Sequence, residues 1–319
     1  MPRAARLDCP DLLQHVIFRG VDRCDIFRDD ADRLRFLQNL SRLLVSLGVE
    51  CLAWSLMTNH VHLLLRPRKS RLAPFMRRFL TGYAIYFNRR HQRAGHLFQN
   101  RYKSIVCEED AYLLELVRYI HLNPLRAGMV ADLDALDHYA WSGHGAILGN
   151  GSLEGQEVGT VLALFAKDRN EAIRHYRQFV ADGVSQGKRG DLTSSGRREA
   201  VDADAYDQRI LGSGAFVEAL RTHPDLAPEL LPAVDIRELI VRTCRRFDVV
   251  PEDLLRRTRT PGVAEARSVV GYLCVHRLER SGVEVGALLG LSRSGVTMAA
   301  RRGEQMVAED ASLLELLNY

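Results

Sequence analysis

The chain has 319 residues, 46% of them hydrophobic and 26% charged, with a formal net charge of +4. These values suit about two soluble globular domains, each with an apolar core. No run approaches the roughly 18 apolar residues a spanning helix requires, and the first residues carry no apolar signal core, so a cytoplasmic protein away from the membrane is expected.

The residues of 15–19 (HVIFR) read as a strand, followed by a polar turn from Gly20 to Arg23. Over 29–47, Leu34, Leu37, Leu40, Leu43, Leu44 and Leu47 recur at three- and four-residue steps, which predicts a helix. Asp29 or Asp30 is its candidate cap. Residues 49–57 and 60–65 are apolar runs joined by Thr58-Asn59, a strand, tight turn and strand. A second amphipathic helix is expected over 72–90 and a third over 111–120. The third should end near Asn123-Pro124, because the residue before proline is pushed out of helical geometry. The order β-α-β-β-α with a further helix predicts an α+β fold, an antiparallel sheet with helices on one face.

Residues 143–159 are glycine-rich and read as a boundary, 158–180 as an amphipathic helical stretch, and 183–198 as a polar linker. Residues 235–319 read as an all-helical unit. The expected domains are thus 1–149, an extension and linker over 150–234, and 235–319. The cysteines Cys9, Cys24, Cys51, Cys107, Cys244 and Cys274 are scattered and form no C-x-x-C pair. They suit reduced thiols rather than a disulfide framework or a zinc site.

Charge is unevenly placed. From His60 to Cys107 there are eleven Lys and Arg, Arg77 and Arg78 among them, and no Asp or Glu. Such a stretch reads as an electrostatic footprint for a polyanion. At its end, Gln99, Asn100, Arg101, Tyr102 and Lys103 combine amides, cations and an aromatic ring, a composition suited to gripping single-stranded DNA. His91 and His96 read as DNA-facing or exposed.

His60 and His62 are two apart on an expected strand, so both imidazoles share one face while Val61 and Leu63 enter the core. Two neutral imidazoles are a natural pair of metal ligands. Tyr119 and Asn123 are four apart and project from one helix face if the helix reaches Asn123. An amide oxygen beside two imidazoles, with open positions, suits Mg²⁺ or Mn²⁺ holding phosphate oxygens. A tyrosine there is a candidate nucleophile on phosphorus. Tyr83, Tyr86, Tyr102 and Tyr112 are also present, and spacing alone does not choose among them.

Residues 12–148 resemble the single-tyrosine HUH transposases (IS200-like), especially the REP-associated tyrosine transposases. The resemblance rests on HVIFRG (15–20), WSLMTNHVHLLL (54–65), HLFQNRYKS (96–104), YLLELVRYIHLNPLRAGMV (112–130) and the segment from Tyr139 to His144. It implies a ferredoxin-like sheet, His60 and His62 as metal ligands, Asn123 as a third, and Tyr119 as the nucleophile. It also implies a 5′-phosphotyrosine link, a free 3′-OH and a single-stranded or hairpin DNA substrate, with repetitive palindromic elements as candidate targets. Some relatives are dimers that exchange the tyrosine, so a monomer and a homodimer both stay open.

Residues 283–302 have helix-turn-helix character. Val285, Leu288 and Leu289 give an apolar face, Gly290 to Ser292 the turn, and Ser292 a cap. The second helix would carry Val296 inward and Arg293, Ser294, Thr297, Arg301 and Arg302 outward. From Asp235 to about Met306 the pattern resembles the DNA-binding domain of the replication initiator DnaA. The chain has Leu291-Ser292-Arg293 where that family carries Arg-Asp-His, so the usual base-reading side chains are missing. No nucleotide-binding G-x-x-x-x-G-K-[ST] loop is present. The leading expectation is therefore a metal-dependent tyrosine transposase that cleaves and rejoins DNA. The alternatives are a non-catalytic DNA-binding regulator with the transposase fold, and a hydrolytic metal nuclease.

Overall fold

The computed structural model describes residues 6–187, 189, 192, 207, 209–230, 236–256, 260–278 and 280–317. The chain divides into two compact units, one running to Glu229 and one starting at Leu230.

In the first unit the expected β-α-β-β-α order is present and continues into a further strand. The elements are β1 (Leu13–Arg19), α1 (Asp30–Leu47), β2 (Val49–Leu56), β3 (His60–Pro67), α2 (Leu72–Arg90) and β4 (Lys103–Cys107). Next come α3 (Glu109–Arg126), α4 (Leu133–Asp137), α5 (Gly143–Leu148), α6 (Val158–Leu162), α7 (Arg169–Asp182), β5 (Ile210–Leu211), α8 (Gly214–Thr222) and α9 (Ala227–Leu230). The sheet order is β2-β3-β1-β4-β5. The first four strands pair antiparallel, the ferredoxin-like arrangement, and β5 adds in parallel to β4.

Strand alternation divides the apolar side chains between two cores. On one face Val16, Phe18, Val61, Leu63 and Leu65 pack with Phe36 and Leu40 of α1 and with Phe75, Phe79 and Tyr83 of α2. On the other, Leu13, Ala53, Leu64 and Ile105 pack with Leu113, Leu116, Val117 and Ile120 of α3. Helices therefore cover both faces, not one as expected. The ferredoxin-like pair α1 and α2 lies on one side, and α3 closes the side that carries the histidines.

Local signals set the helix ends. Asp29 caps α1 by accepting the Asp32 amide at 3.1 Å, and Gly48 ends it in the left-handed region at φ 61°. Helix α3 does not stop before Pro124 but runs through it to Arg126. A proline this close to a helix end forfeits a single backbone bond, and Ala127 N–H still donates to Asn123 O at 2.9 Å.

The glycine-rich stretch after residue 142 is no break in packing. A Cβ on Gly143 would lie 2.9 Å from the Trp54 ring, so glycine here permits close approach to β2. Gln156 completes the tie, accepting from Trp54 Nε1 at 2.8 Å and donating to Gly143 O at 2.9 Å. Residues 158–180, expected as one helical stretch, form α6 and α7, and Val161, Ala172, Tyr176 and Val180 join the core behind α3. Most of the expected linker 183–198 lies outside the described residues.

A buried polar chain fastens α7 to α3. Asp137 Oδ1 is 2.8 Å from His144 Nε2, and the Tyr176 hydroxyl is 2.7 Å from both His144 Nδ1 and His121 Nδ1. All three rings are fully buried. Tyr176→Phe strands two imidazole nitrogens and should cost about 1–3 kcal/mol in a urea unfolding titration. Wild-type stability in that variant would contradict a structural role for the chain.

The second unit holds α10 (Ile236–Arg246), α11 (Pro261–Tyr272), α12 (Gly282–Leu289) and α13 (Arg293–Glu309). Its core includes Leu239, Val269, Leu273, Leu289, Val296 and Val307. No helix among the described residues is long and apolar enough to cross a membrane.

Candidate active site

His60 and His62 share the α3 side of β3, while Val61 and Leu63 enter the opposite core, as alternation requires. Their ring centroids are 5.2 Å apart. His62 is buried and His60 is half-buried at the strand start. Each ring is fixed through Nδ1. His60 Nδ1 meets Asn59 Oδ1 at 2.8 Å, and His62 Nδ1 meets His15 Nε2 at 3.0 Å. With His62 Nδ1–H donating to His15 Nε2, as His60 Nδ1–H donates to Asn59, both Nε2 atoms are candidate metal donors, oriented by the partners of the other ring nitrogen. His15, fully buried on β1, was not singled out from sequence. Its signal was there, one strand position in the first motif, but a lone histidine in an apolar run reads as core.

Burial, helped by Arg19, brings the His60 pKa down to about 4. Burial, then the charges of His15, His60 and Arg19, holds His62 well below its ordinary value. Both rings are therefore neutral near pH 7 with lone pairs available, the form a metal requires. A depressed pKa means that protons compete with a metal only as the pH falls toward about 4. Mn²⁺ affinity measured by calorimetry should be nearly flat from about pH 8 to 6 and weaken below that. A midpoint near the unperturbed histidine value of ~6.5 would contradict the burial account.

Helix α3 faces this pair. The Tyr119 ring meets His62 edge-on at 5.8 Å and His15 at 5.9 Å. Asn123 follows one turn later, and its buried Nδ2 has no hydrogen-bond partner among the described residues. Two neutral imidazoles could hold a divalent ion with oxygen-rich remaining positions, and Asn123 would join them through its side-chain oxygen, since Nδ2 is a donor only. Tyr83 and Tyr86 lie on α2, beyond the sheet, and the Tyr83 hydroxyl donates to Ile26 O at 2.6 Å. Among the described ring contacts, Tyr119 is the tyrosine that meets His15 and His62.

The expected DNA contacts are only partly brought together. Lys103 is exposed and stands in register with Ile17, itself paired with His62, so it shares the histidine face two strands away. Gln99, Asn100 and Arg101 are exposed, and the Gln99 amide donates to Arg19 O at 2.8 Å. Tyr102 is 7% exposed, and Arg6 covers its ring at 3.9 Å, so it offers no face for base stacking. Arg77 and Arg78 are exposed on α2, on the far side of the sheet from the histidines. The acid-free stretch also meets acids from elsewhere. Arg66 and Arg68 pair with Glu50 at 2.7 and 2.8 Å, and Arg90 pairs with Asp29 at 2.7 Å. His91 is held by buried Asp32 at 2.8 Å.

In the second unit, Gly290 turns in the left-handed region at φ 61° between α12 and α13, and Ser292 caps α13 from Gly295 N at 3.1 Å. Val296 is buried, while Arg293, Ser294, Thr297 and Arg301 are exposed.

A second ligand-type cluster joins Cys9, His223 and Asp225. There the Asp225 amide donates to His223 Nδ1 at 3.3 Å, which places the ring proton on Nε2, 3.6 Å from Cys9 Sγ. That ring donates to sulfur, so the cluster suits a metal less well than the His60–His62 pair.

Residues 9–123 match the family described as "Transposase IS200 like". The chain is similar to that family over about a third of its length. The C-terminal part is similar to the chromosomal replication initiator protein DnaA of Mycoplasma genitalium, 30% identical over 79 residues. That match covers 25% of this chain and 18% of the DnaA protein. A solved REP-associated tyrosine transposase bound to a REP hairpin is 14% identical, covering 48% of this chain and 90% of that one, with a TM-score of 0.39.

Proposed function

We propose that the chain is a tyrosine transposase that breaks and rejoins single-stranded or hairpin DNA, with Tyr119 as nucleophile. The observation that supports it most is the packing of Tyr119 against His62 and His15 inside an IS200-like domain. His60, His62 and Asn123 would hold Mg²⁺ or Mn²⁺, whose contribution is to polarise the phosphate. These ligands are all neutral, so the charge of the ion is left for phosphate oxygens rather than spent on carboxylates. Arg19 adds a cation beside the histidines. Tyr119 attacks phosphorus, its oxygen takes the 5′ phosphate, and the 3′ oxygen leaves. The bond energy is conserved for rejoining, so no nucleotide cofactor is needed.

Nucleophile and histidines come from one chain, which supports a monomer as sufficient for cleavage. The exposed Gln99, Asn100, Arg101 and Lys103 serve as single-strand contacts. The α12–α13 pair docks duplex or hairpin DNA through Arg293, Ser294, Thr297 and Arg301. The test uses labelled hairpin DNA with a single-stranded flank, Mg²⁺ or EDTA, and a denaturing protein gel. Label retained on the protein only with metal is the expected result. Cut DNA without protein-linked label favours a nuclease, and binding without cutting favours a regulator.

A further inference from the structure

We propose that Arg126 is a phosphate-binding catalytic residue of this site, donating N–H groups to the phosphate that Tyr119 attacks. The inference rests on the strand-transfer reading above. Tyr119, Asn123 and Arg126 stand at i, i+4 and i+7 on α3 and so form one stripe. The Arg126 guanidinium carbon lies 5.8 Å from the centre of the Tyr119 ring. Its Nη2 donates to Gly183 O at 3.1 Å. Its Nε and Nη1 are buried and have no hydrogen-bond partner among the described residues.

Arg118 on the same helix shows what a structural arginine looks like in this neighbourhood. It is ion-paired to Glu115 at 2.5 Å, bonded to Phe179 O at 3.3 Å and stacked 4.2 Å from the Phe179 ring. Arg126 has the same access to the α7 end but uses one donor there and leaves two unused. A half-buried cation with two buried, unused nitrogens is costly to keep. Burial accordingly lowers its pKa, and the Tyr119 charge is the first influence opposing that. An anion arriving beside Tyr119 would relieve both costs at once, and the anion this chemistry brings there is a phosphodiester.

The step balances without a proton from Arg126. The Tyr119 oxygen forms the new bond to phosphorus, and its proton passes to water. The bond from phosphorus to the 3′ oxygen breaks, and that oxygen leaves with the electron pair and takes up a proton from water. Negative charge grows on the non-bridging oxygens meanwhile, where fixed N–H donors act most strongly.

The test compares wild type, Arg126→Ala, Arg126→Lys and Arg126→Gln in single-turnover formation of the protein–DNA adduct. Hairpin affinity, Mn²⁺ affinity and melting temperature are measured alongside. We expect Arg126→Ala to be slower on the order of 10²-fold or more, with binding and melting near wild type. Arg126→Lys should retain part of the rate by keeping the charge, and Arg126→Gln should behave like Arg126→Ala. Free guanidinium should restore part of the Arg126→Ala rate. Wild-type rate in Arg126→Ala overturns the proposal. A slow variant that also melts early, binds DNA poorly and ignores guanidinium overturns it in favour of a structural role. If wild type itself forms no adduct, the transposase reading falls and this proposal with it, an outcome distinct from an active enzyme indifferent to Arg126.

Discussion

Tyr119→Phe should lose covalent capture of DNA by on the order of 10³-fold or more, with its fold intact. The phenyl ring fills the same space against His15 and His62, so packing is conserved and only the nucleophilic oxygen is removed. Hairpin and Mn²⁺ affinities should stay close to wild type. Tyr112→Phe, on the same helix, should keep the adduct. The two variants separate the chemistry from the general presence of a tyrosine on α3. An adduct that survives in Tyr119→Phe and disappears in Tyr112→Phe would move the nucleophile and break the account.

The histidines should give a graded series. His60→Ala removes a proposed ligand from a half-buried strand end, so it should lower Mn²⁺ affinity by about 10²-fold or more at little cost in stability. His15→Ala leaves both proposed ligands in place but removes the partner of His62 Nδ1. Loss of such an orienting partner costs about 10–100-fold in metal affinity or activity. His62→Ala combines both effects, because it vacates a buried position and strands the His15 nitrogen. Calorimetry with Mn²⁺ and single-turnover cleavage would give the order. Equal affinity in His60→Ala and wild type would show that the ion, if any, binds elsewhere.

Much of the fold was legible because its strongest signals are periodic. The leucines of α1 and the span of α2 carry their own spacing, and the Thr58-Asn59 turn set the phase of β3. That phase alone placed His60 and His62 on one face. Strand β4 was missed because Lys103–Cys107 is short and follows a basic stretch that reads as loop. The second helical layer was missed for a different reason. Whether α3 covers the same face as α1 and α2 depends on how the chain crosses the sheet, which no local pattern states. Gly143 misled because glycine marks both flexible joints and close contacts, and only the Trp54 ring tells which.

At the site, the His60–His62 pair and the Tyr119–Asn123 spacing were readable, while the choice of Tyr119 over other tyrosines rested on a resemblance. In the structure the Tyr119 ring contacts His15 and His62, and its role as nucleophile is a proposal built on that contact. The proline at 124 proved no obstacle, since α3 continues to Arg126 and carries Asn123 on the Tyr119 face. Tyr102 and the arginines of α2 show the opposite case. Composition placed them with the DNA contacts, but folding buried the first and put Arg77 and Arg78 behind the sheet.

The most direct measurement identifies the residue that carries the DNA. Wild-type protein is reacted with hairpin DNA and Mn²⁺, the attached strand is trimmed by nuclease, and the protein is digested with trypsin. Cleavage after Arg118 and Arg126 releases a peptide from Tyr119 to Arg126 that holds a single tyrosine. The account predicts that this peptide, and no other tyrosine-containing one, gains the mass of a nucleotide phosphate. A nucleotide on a peptide carrying Tyr83, Tyr102 or Tyr112, or cut DNA with every tyrosine peptide unmodified, would contradict it.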